Sequence, residues 1–268
     1  MPIIIVLWGL VMRRVIFNQK GGVGKSSIAC NLAAISASQG YRTLLIDLDA
    51  QANASHYLTG LSLEQMPTGI AEFFNLILTS GIAAKKARPQ ILETPFDNLH
   101  LITASPELAD LQPRLEARHK INKLSRLLDK IDGDYERIYL DTPPALNFYS
   151  VSALIAADRC LIPFDCDSFS RHALYGLLEE IEDIRDDHNE RLQVEGIIVN
   201  QFQPRAALPQ QMIRELLEEG LPLLPVYLNQ SVKMRESHQA CCPLIHLDPK
   251  HKLSQQFVEL HDYLEARI

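Results

Sequence analysis

The sequence has no excess of basic residues, no C-x-x-C pair and no apolar run long enough to cross a membrane. Lysine and arginine number 26 against 33 acidic residues, and the net charge of −7 excludes a uniformly basic nucleic-acid binder. Five cysteines, an odd number in a chain of 268 residues, fit free thiols in a reducing cytoplasm better than a disulfide framework. We therefore expect a cytoplasmic protein whose contacts with nucleic acid, if any, are local.

The first eleven residues, MPIIIVLWGLV, are almost wholly apolar. They are fewer than the roughly 17–20 residues that span a bilayer, and they lack the basic start and the small-residue cleavage site of a signal peptide. We interpret residues 1–11 as an extension, with Met12 as the natural start of the protein. An extra edge strand or an apolar segment docked on the surface is the alternative.

The rest of the chain has no internal repeat and no low-complexity linker, so we expect a single domain over residues 12–268. Short apolar runs alternate with longer segments of helical periodicity, which predicts an α/β fold with a mainly parallel sheet and helices on both faces. The predicted strands cover residues 14–17, 43–46, 99–103, 137–140, 159–163 and 196–200, with a weaker one at 223–227. The predicted helices cover residues 25–39, 70–79, 106–128, 148–156, 171–188, 209–219 and 253–266.

A glycine-rich loop, KGGVGKSS at Lys20–Ser27, lies between the first predicted strand and the first predicted helix. Gln19 stands where the ordinary phosphate loop has its first glycine, so the motif is a deviant one. Its glycines allow successive backbone N–H groups to converge on phosphate oxygens at the start of a helix. Lys25 is predicted to bind the β- and γ-phosphates, and the Ser26 hydroxyl to bind Mg²⁺. A glycine-rich turn with a surface lysine is the alternative.

Three carboxylates follow predicted strands. Asp47 and Asp49 end the strand LLIDLD, and Asp141 ends the strand that leads into Thr-Pro-Pro. Open α/β sheets bind ligands at the carboxyl ends of their strands, so these side chains are expected beside the phosphate loop. Asp141 is predicted to hold Mg²⁺ through water, because Mg²⁺ keeps several of its waters. For Asp49, capping the N-terminus of a following helix is the alternative.

The blocks IFNQKGGVGKSSIACNLAA and LLIDLDAQANAS, together with the Asp-Thr-Pro-Pro block, resemble the ParA/MinD group of deviant Walker A P-loop ATPases, most closely its ParA branch. The resemblance implies the P-loop NTPase fold, with ATP and Mg²⁺ as cofactors. It implies that Lys20 reaches across an ATP-sandwich homodimer, that Asp49 positions the attacking water and that Asp47 supports the Mg²⁺ shell. The implied nucleotide-binding residues of the loop are Gly21, Gly22, Val23, Gly24, Lys25, Ser26 and Ser27.

The same resemblance points to residues in the second half of the chain. Asn200 ends a predicted strand where part of the family pairs an asparagine with adenine; an ordinary turn residue is the alternative. Arg205, Lys233 and Arg235 fall where ParA-like ATPases bind DNA without sequence preference, with solvated surface cations as the alternative. This block departs from the family pattern, with Asn229 in place of a proline and cysteines at 241 and 242 in place of a glycine and a polar residue.

The function that the resemblance implies is an ATPase that dimerises with ATP, binds nucleoid DNA non-specifically in that state and is reset by hydrolysis that a ParB-like or other activating protein stimulates. Its task would be to segregate or position DNA or another cargo. A MinD-like regulator that binds a membrane or a partner protein is the alternative, and a synthetase that activates a carboxylate is a third. We expect no membrane contact, because the polar face of the segment KLSQQFVELHDYLEARI carries Gln, Glu, Asp and His rather than cations.

Overall fold

The computed structural model describes residues 11–79, 86–166 and 170–268, without the side chains of residues 170–172. The extension expected at residues 1–11 therefore lies outside the described residues, apart from Val11. The strands are β1 Met12–Ile16, β2 Thr43–Asp47, β3 Leu92–Glu93, β4 Leu99–Ile102, β5 Arg137–Asp141, β6 Arg159–Asp165 and β7 Gln193–Asn200. The helices are α1 Lys25–Ser38, α2 Asn53–Thr59, α3 Gly69–Leu78, α4 Glu107–Ala117, α5 Lys123–Ile131, α6 Phe148–Ala156, α7 Ser170–His188, α8 Ala207–Glu218, α9 Val232–Gln239, α10 Leu244–Leu247 and α11 Lys252–Glu265, with a 3₁₀ turn at Asp132–Asp134.

The strands form a seven-stranded sheet in the order β3-β4-β2-β5-β1-β6-β7. Neighbouring strands are parallel except for β3, which runs antiparallel to β4 at one edge. Asp141 at the end of β5 is in register with Ile16 on β1 and with Asp47 on β2. The carboxyl ends of the three central strands therefore meet at one edge of the sheet, next to the loop that follows β1.

Two hydrophobic cores cover the two faces of this sheet. Successive residues of a strand point to opposite faces, and accordingly Val15 and Leu44 belong to one core whereas Ile16 and Leu45 belong to the other. Helices α3 to α8 contribute to the first core, and α1, α2, α10 and α11 to the second. This arrangement confirms the predicted α/β fold, a mainly parallel sheet with helices on both faces. Within the described residues, no helix is long and apolar enough to span a membrane.

The helix predicted over residues 106–128 is instead two helices, α4 and α5. The first ends at Ala117, after which His119 takes a left-handed conformation with φ of 51°. Backbone N–H groups at this turn bind the carbonyls that the helix end leaves open, with Lys120 donating to Leu115 and His119 donating to Glu116. The turn allows the leucines of both helices to be buried in the first core.

The weak strand predicted over residues 223–227 is also absent. Leu223 forms a single parallel bridge with Ile197, and no ladder continues from it. Prolines at positions 222 and 225 have no N–H to donate, which prevents a regular edge strand. The sequence interpretation also missed the short elements α2, β3, α9 and α10.

A buried ion-pair network lies at the other end of the central strands, where these strands begin. The fully buried guanidinium of Arg14 on β1 donates to Glu195 on β7 at 2.8 and 3.0 Å and to Glu265 on α11 at 2.7 Å. Arg137 on β5 donates to the second oxygen of Glu265 at 2.9 Å. The last turn of α11 is thus bound to the sheet by charge-assisted hydrogen bonds.

Candidate active site

The phosphate loop connects β1 to α1 and requires glycine at two positions. Gly22 and Gly24 have φ of 78° and 90°, in the left-handed region that other residues rarely adopt. A Cβ atom at Gly24 would also collide with the side-chain amide of Asn200. Lys25, the first residue of α1, bends back over the loop and donates from Nζ to the carbonyl oxygen of Lys20 at 2.9 Å. This hydrogen bond fixes the Lys25 side chain against the backbone of the loop.

Lys25 is nearly buried, with 7% of the residue exposed. Burial lowers the pKa of its ammonium, and the nearby carboxylates of Asp141 and Asp49 act in the opposite direction. Buried cations need anionic partners to offset the loss of hydration. The surroundings of Lys25 therefore favour an anion at the loop.

Asp141 is the most unusual side chain of the site. It is fully buried, and no group in the described residues donates a hydrogen bond to either of its carboxylate oxygens. Burial raises its pKa, and the charge of Asp47 adds to the effect; the nearby Ser26 hydroxyl and Lys25 ammonium act in the opposite direction without offsetting it. An orphaned buried carboxylate is costly unless something binds it. Its oxygens and the Ser26 hydroxyl suit Mg²⁺, which prefers oxygen ligands and retains waters.

Asp47 is already occupied by the protein. One oxygen accepts from the backbone N–H and the hydroxyl of Ser55, at 2.8 and 2.7 Å, and the other accepts from the backbone N–H of Asp49 at 3.0 Å. Burial raises the pKa of Asp47 to about 6, although these hydrogen bonds favour its charged form. Asp47 therefore fixes the chain between β2 and α2, and any part it takes in holding Mg²⁺ is indirect.

Asp49 does not cap the helix that follows it. Helix α2 begins at Asn53, and the N-cap position is occupied by Ala52 in a left-handed conformation with φ of 52°. The carboxylate of Asp49 accepts from the backbone N–H of Gln51 at 3.1 Å, and the residue is 9% exposed. The capping alternative for Asp49 is therefore wrong, since the N–H of Ser55 in α2 is bound by Asp47.

Lys20 is held within its own chain. Its Nζ donates to both carboxylate oxygens of Asp165, each at 2.9 Å, and its backbone N–H donates to the Asn18 side chain at 2.9 Å. The side chain of Lys20 is 34% exposed. The sequence interpretation missed Asp165, although it ends β6 and so obeys the same rule that places Asp47 and Asp141 at this edge of the sheet.

Asn200 and its neighbour cover the phosphate loop from the other side. The side-chain amide of Asn200 donates to the carbonyl oxygen of Val23 at 2.9 Å, and that of Gln201 donates to the carbonyl oxygen of Gly22 at 2.9 Å. Gln201 has φ of 52°, which turns the chain sharply after β7. Gln201 was not predicted, and no motif marks it.

A cavity of about 560 Å³ opens beside the loop, within the size range of small-molecule sites. The phosphate loop and the residues after β7 form one side, and helices α9 and α11 form the other. Its walls include Gly22, Gly24, Ser27, Asn200, Gln201, Ser231, Met234, Arg235, Leu253 and Phe257. Helix α9 also touches α1 and α2 directly. Nε2 of His238 lies 2.9 Å from the hydroxyl of Ser27 on α1, and the His238 ring stacks on Tyr57 of α2.

The three residues predicted to bind DNA lie in different settings. Arg205 is exposed in the turn before α8. Lys233 forms ion pairs with Glu236 at 2.8 Å and Asp248 at 3.7 Å. Arg235 is exposed and lines the cavity beside the phosphate loop. The structure therefore separates Arg235 from the other two candidates.

Comparisons with known proteins extend over nearly the whole chain. A family model described as an AAA domain matches residues 13–194. The chromosome partitioning protein ParA of Myxococcus xanthus is 31% identical over 267 residues, covering 97% of this chain and 90% of that protein. The chromosome-partitioning ATPase Soj of Thermus thermophilus is 34% identical over 207 residues, covering 77% of this chain and 76% of that protein.

Among solved structures, cobyrinic acid a,c-diamide synthase of Mycobacterium smegmatis, with an ATP analog and magnesium bound, matches with a TM-score of 0.80. The identity is 24%, and the match covers 96% of this chain and 95% of that one. At this identity the likeness concerns the fold. It agrees with the predicted α/β fold, a mainly parallel sheet with helices on both faces.

Proposed function

Because the chain belongs to the ParA/MinD-type family of P-loop ATPases, close to its ParA branch, we propose that it is a Mg²⁺-dependent ATPase that segregates or positions a cargo. The observation that carries the ATPase part of this proposal is the buried carboxylate of Asp141, without a hydrogen-bond donor in the described residues and beside Ser26 and Lys25 of the loop. The cargo-positioning part is supported by the similarity to chromosome-partitioning proteins. ATP would bring phosphate oxygens to the Lys25 ammonium, and Mg²⁺ would occupy the carboxylate oxygens of Asp141 that accept no hydrogen bond.

In this proposal the backbone of residues 21–27 surrounds the phosphates, and Lys25 holds the β- and γ-phosphates. Ser26 and Asp141 would hold Mg²⁺, Asp141 through water, while Asp47 keeps the neighbouring chain in place. The ion would offset charge on the phosphate oxygens. Asp49, at the same edge of the sheet, positions the attacking water.

Lys20 has a separate role, which the family resemblance implies. It contacts the nucleotide of a partner subunit, so that ATP holds a homodimer together. To do so it must leave Asp165, with which it pairs in the single chain. The pair is partly exposed, and exposed pairs typically contribute less than about 1 kcal/mol, so exchange to a triphosphate is energetically accessible.

The ATP-bound dimer is proposed to bind DNA without sequence preference through Arg205 and Lys233, and so to associate with the nucleoid. A ParB-like or other activating protein would stimulate hydrolysis and end the cycle. Two phosphate contacts per subunit are weak singly, but dimerisation doubles them. This gives a physical reason why DNA affinity would depend on ATP.

The experiment is a pelleting assay of the purified protein with ATP, ADP or no nucleotide, against duplex DNA and against anionic liposomes, with light scattering to measure dimerisation. We expect an ATP-dependent dimer that sediments with DNA and not with liposomes. Sedimentation with liposomes alone would replace the proposal with a MinD-like membrane function. Failure of the same protein to bind ATP in a calorimetric titration would refute the ATPase itself.

A further inference from the structure

Helix α9 presents its two cations on different faces. Residues two apart on a helix do not share a face, whereas residues three or four apart do. Lys233 pairs with Glu236, three residues on, and with Asp248. Ser231, Arg235 and His238 are spaced by four and three residues, and they form the face that meets the cavity and the phosphate-loop helix. A ligand on one face of α9 can therefore contact Lys233 or Arg235, but not both.

The contact between His238 and Ser27 sets the position of Arg235 relative to the loop. Nε2 of His238 lies 2.9 Å from the Ser27 hydroxyl, in the first turn of α1. Arg235 precedes His238 by three residues, which is a rise of about 4.5 Å along the helix. A guanidinium on a long side chain at this distance reaches the region next to Ser27, at the end of the loop away from Lys20.

Arg235 also lacks a compensating charge. No carboxylate in the described part of the chain pairs with it, in contrast to Lys233. It lines the same cavity as Gly22, Gly24 and Ser27. The apolar wall formed by Leu253 and Phe257 suits a base, and the glycine-rich side suits phosphates.

We propose that Arg235 is a nucleotide-binding residue, which holds the phosphate nearest the nucleoside from the side opposite the phosphate loop, and that it is not a DNA contact. This inference rests on the proposed ATPase function and adds a cation that helix α9 contributes to the site. A guanidinium suits this position because its planar donors bind phosphate oxygens in pairs.

Calorimetric titration of Arg235→Ala with ATP, ADP, AMP and adenosine tests the inference. Removing a charge-assisted hydrogen bond should weaken the affinity for ATP, ADP and AMP about tenfold to a hundredfold each. The affinity for adenosine should stay within about threefold of the wild type, because adenosine has no phosphate. Arg235→Lys should recover part of the loss. Arg214→Ala, which removes an exposed arginine on α8 away from the cavity, is the matched control and should bind all four ligands as the wild type does.

DNA pelleting at saturating ATP distinguishes a DNA-binding role of Arg235 from a nucleotide-binding role. A DNA contact lowers the slope of log affinity against log salt by about 1 when it is removed. Arg235→Ala should leave this slope unchanged once ATP is saturating. A lowered slope combined with wild-type affinity for the phosphorylated ligands would overturn the inference and leave the ATPase proposal intact. A wild-type protein that binds no ATP would overturn both.

Discussion

The phosphate loop and helix α9 face the same cavity, but they hold their charges in different ways. In the loop, Lys25 is buried and fixed by the backbone, and buried carboxylates lie at the ends of the neighbouring strands. In α9, Lys233 is paired at the surface with Glu236 and Asp248, while Arg235 turns toward the cavity. The loop therefore holds its lysine by its own backbone, whereas α9 has one cation in surface ion pairs and the other at the cavity.

This difference shows that a basic residue in a sequence block predicts its ligand only where the backbone fixes the direction of its side chain. In the loop, the backbone conformation of Gly22 and Gly24 determines where the lysine points, so the motif and its chemistry go together. In α9, the helical repeat assigns adjacent cations to different faces. If the loop and α9 divide nucleotide binding and DNA binding in this way, substitutions of their cations should affect different ligands.

The largest effect is expected on the loop side of the comparison, for Lys25→Ala. Without the cation at the β- and γ-phosphates, affinity for ATP should fall at least about a hundredfold, which calorimetry can measure. Lys250→Ala, which removes an exposed lysine far along the chain, serves as the control. Near wild-type affinity of Lys25→Ala for ATP would remove the basis for the loop assignment.

Asp49→Ala should affect turnover and not binding. Hydrolysis is expected to fall about a hundredfold or more, because a carboxylate that positions water acts in the transition state. ATP affinity should remain within about threefold, so dimers should accumulate with ATP and be visible by light scattering. The exposed Glu64→Ala provides a matched loss of a carboxylate. A monomer with normal turnover would refute the role of Asp49.

An intermediate effect is expected when Lys20→Ala and Asp49→Ala subunits are mixed. If Lys20 acts across the dimer, the site on the Lys20→Ala subunit keeps its own Asp49 and receives an intact lysine from its partner. The mixture should then hydrolyse ATP faster than either variant alone, as measured by phosphate release. If heterodimers form and no gain is seen, Lys20 acts within its own subunit and the sandwich-dimer proposal fails.

The smallest effect is expected for DNA binding, on the Lys233 side of α9. Lys233→Ala and Arg205→Ala should each weaken ATP-dependent DNA binding a few-fold and lower the salt slope by about 2, because each substitution removes one cation per subunit and therefore two from the bound dimer. Neither should change the affinity for ATP. DNA pelleting across a salt series measures this, with Arg214→Ala as the control. An unchanged slope in both variants would place DNA binding elsewhere on the protein.

The features that the sequence predicted well are those that local rules determine. Short apolar runs placed the central strands within a residue or two, and strand direction placed Asp47 and Asp141 at one edge, where β2 and β5 pair them. The long predicted helix failed, because periodicity continues through residues 118–122 although the backbone turns at His119. Periodicity reports which residues are buried and is silent on where a helix stops.

Pairings between distant segments could not be predicted from one sequence. Asp165 holds Lys20 across 145 residues, and Gln201 reaches Gly22 across 179 residues. Such contacts depend on which strands become neighbours and on the direction of the following loop. The separation of Lys233 and Arg235 could have been predicted, because a helix over residues 232–239 places them on different faces. That short helix was not predicted from the sequence.

Helix α11 runs from the carboxyl ends of the central strands to the end of the sheet where these strands begin. Its first turns contribute Leu253 and Phe257 to the cavity wall, and Glu265, about 18 Å further along the helix, binds the buried Arg14 and Arg137. A ligand that orders the first turns should therefore slow amide hydrogen exchange along the whole helix, including the amides near Glu265. The same connection makes Glu265 a vulnerable position: its replacement by alanine would deprive two buried or nearly buried guanidinium groups of a partner, at a cost of about 3–5 kcal/mol in the free energy of unfolding.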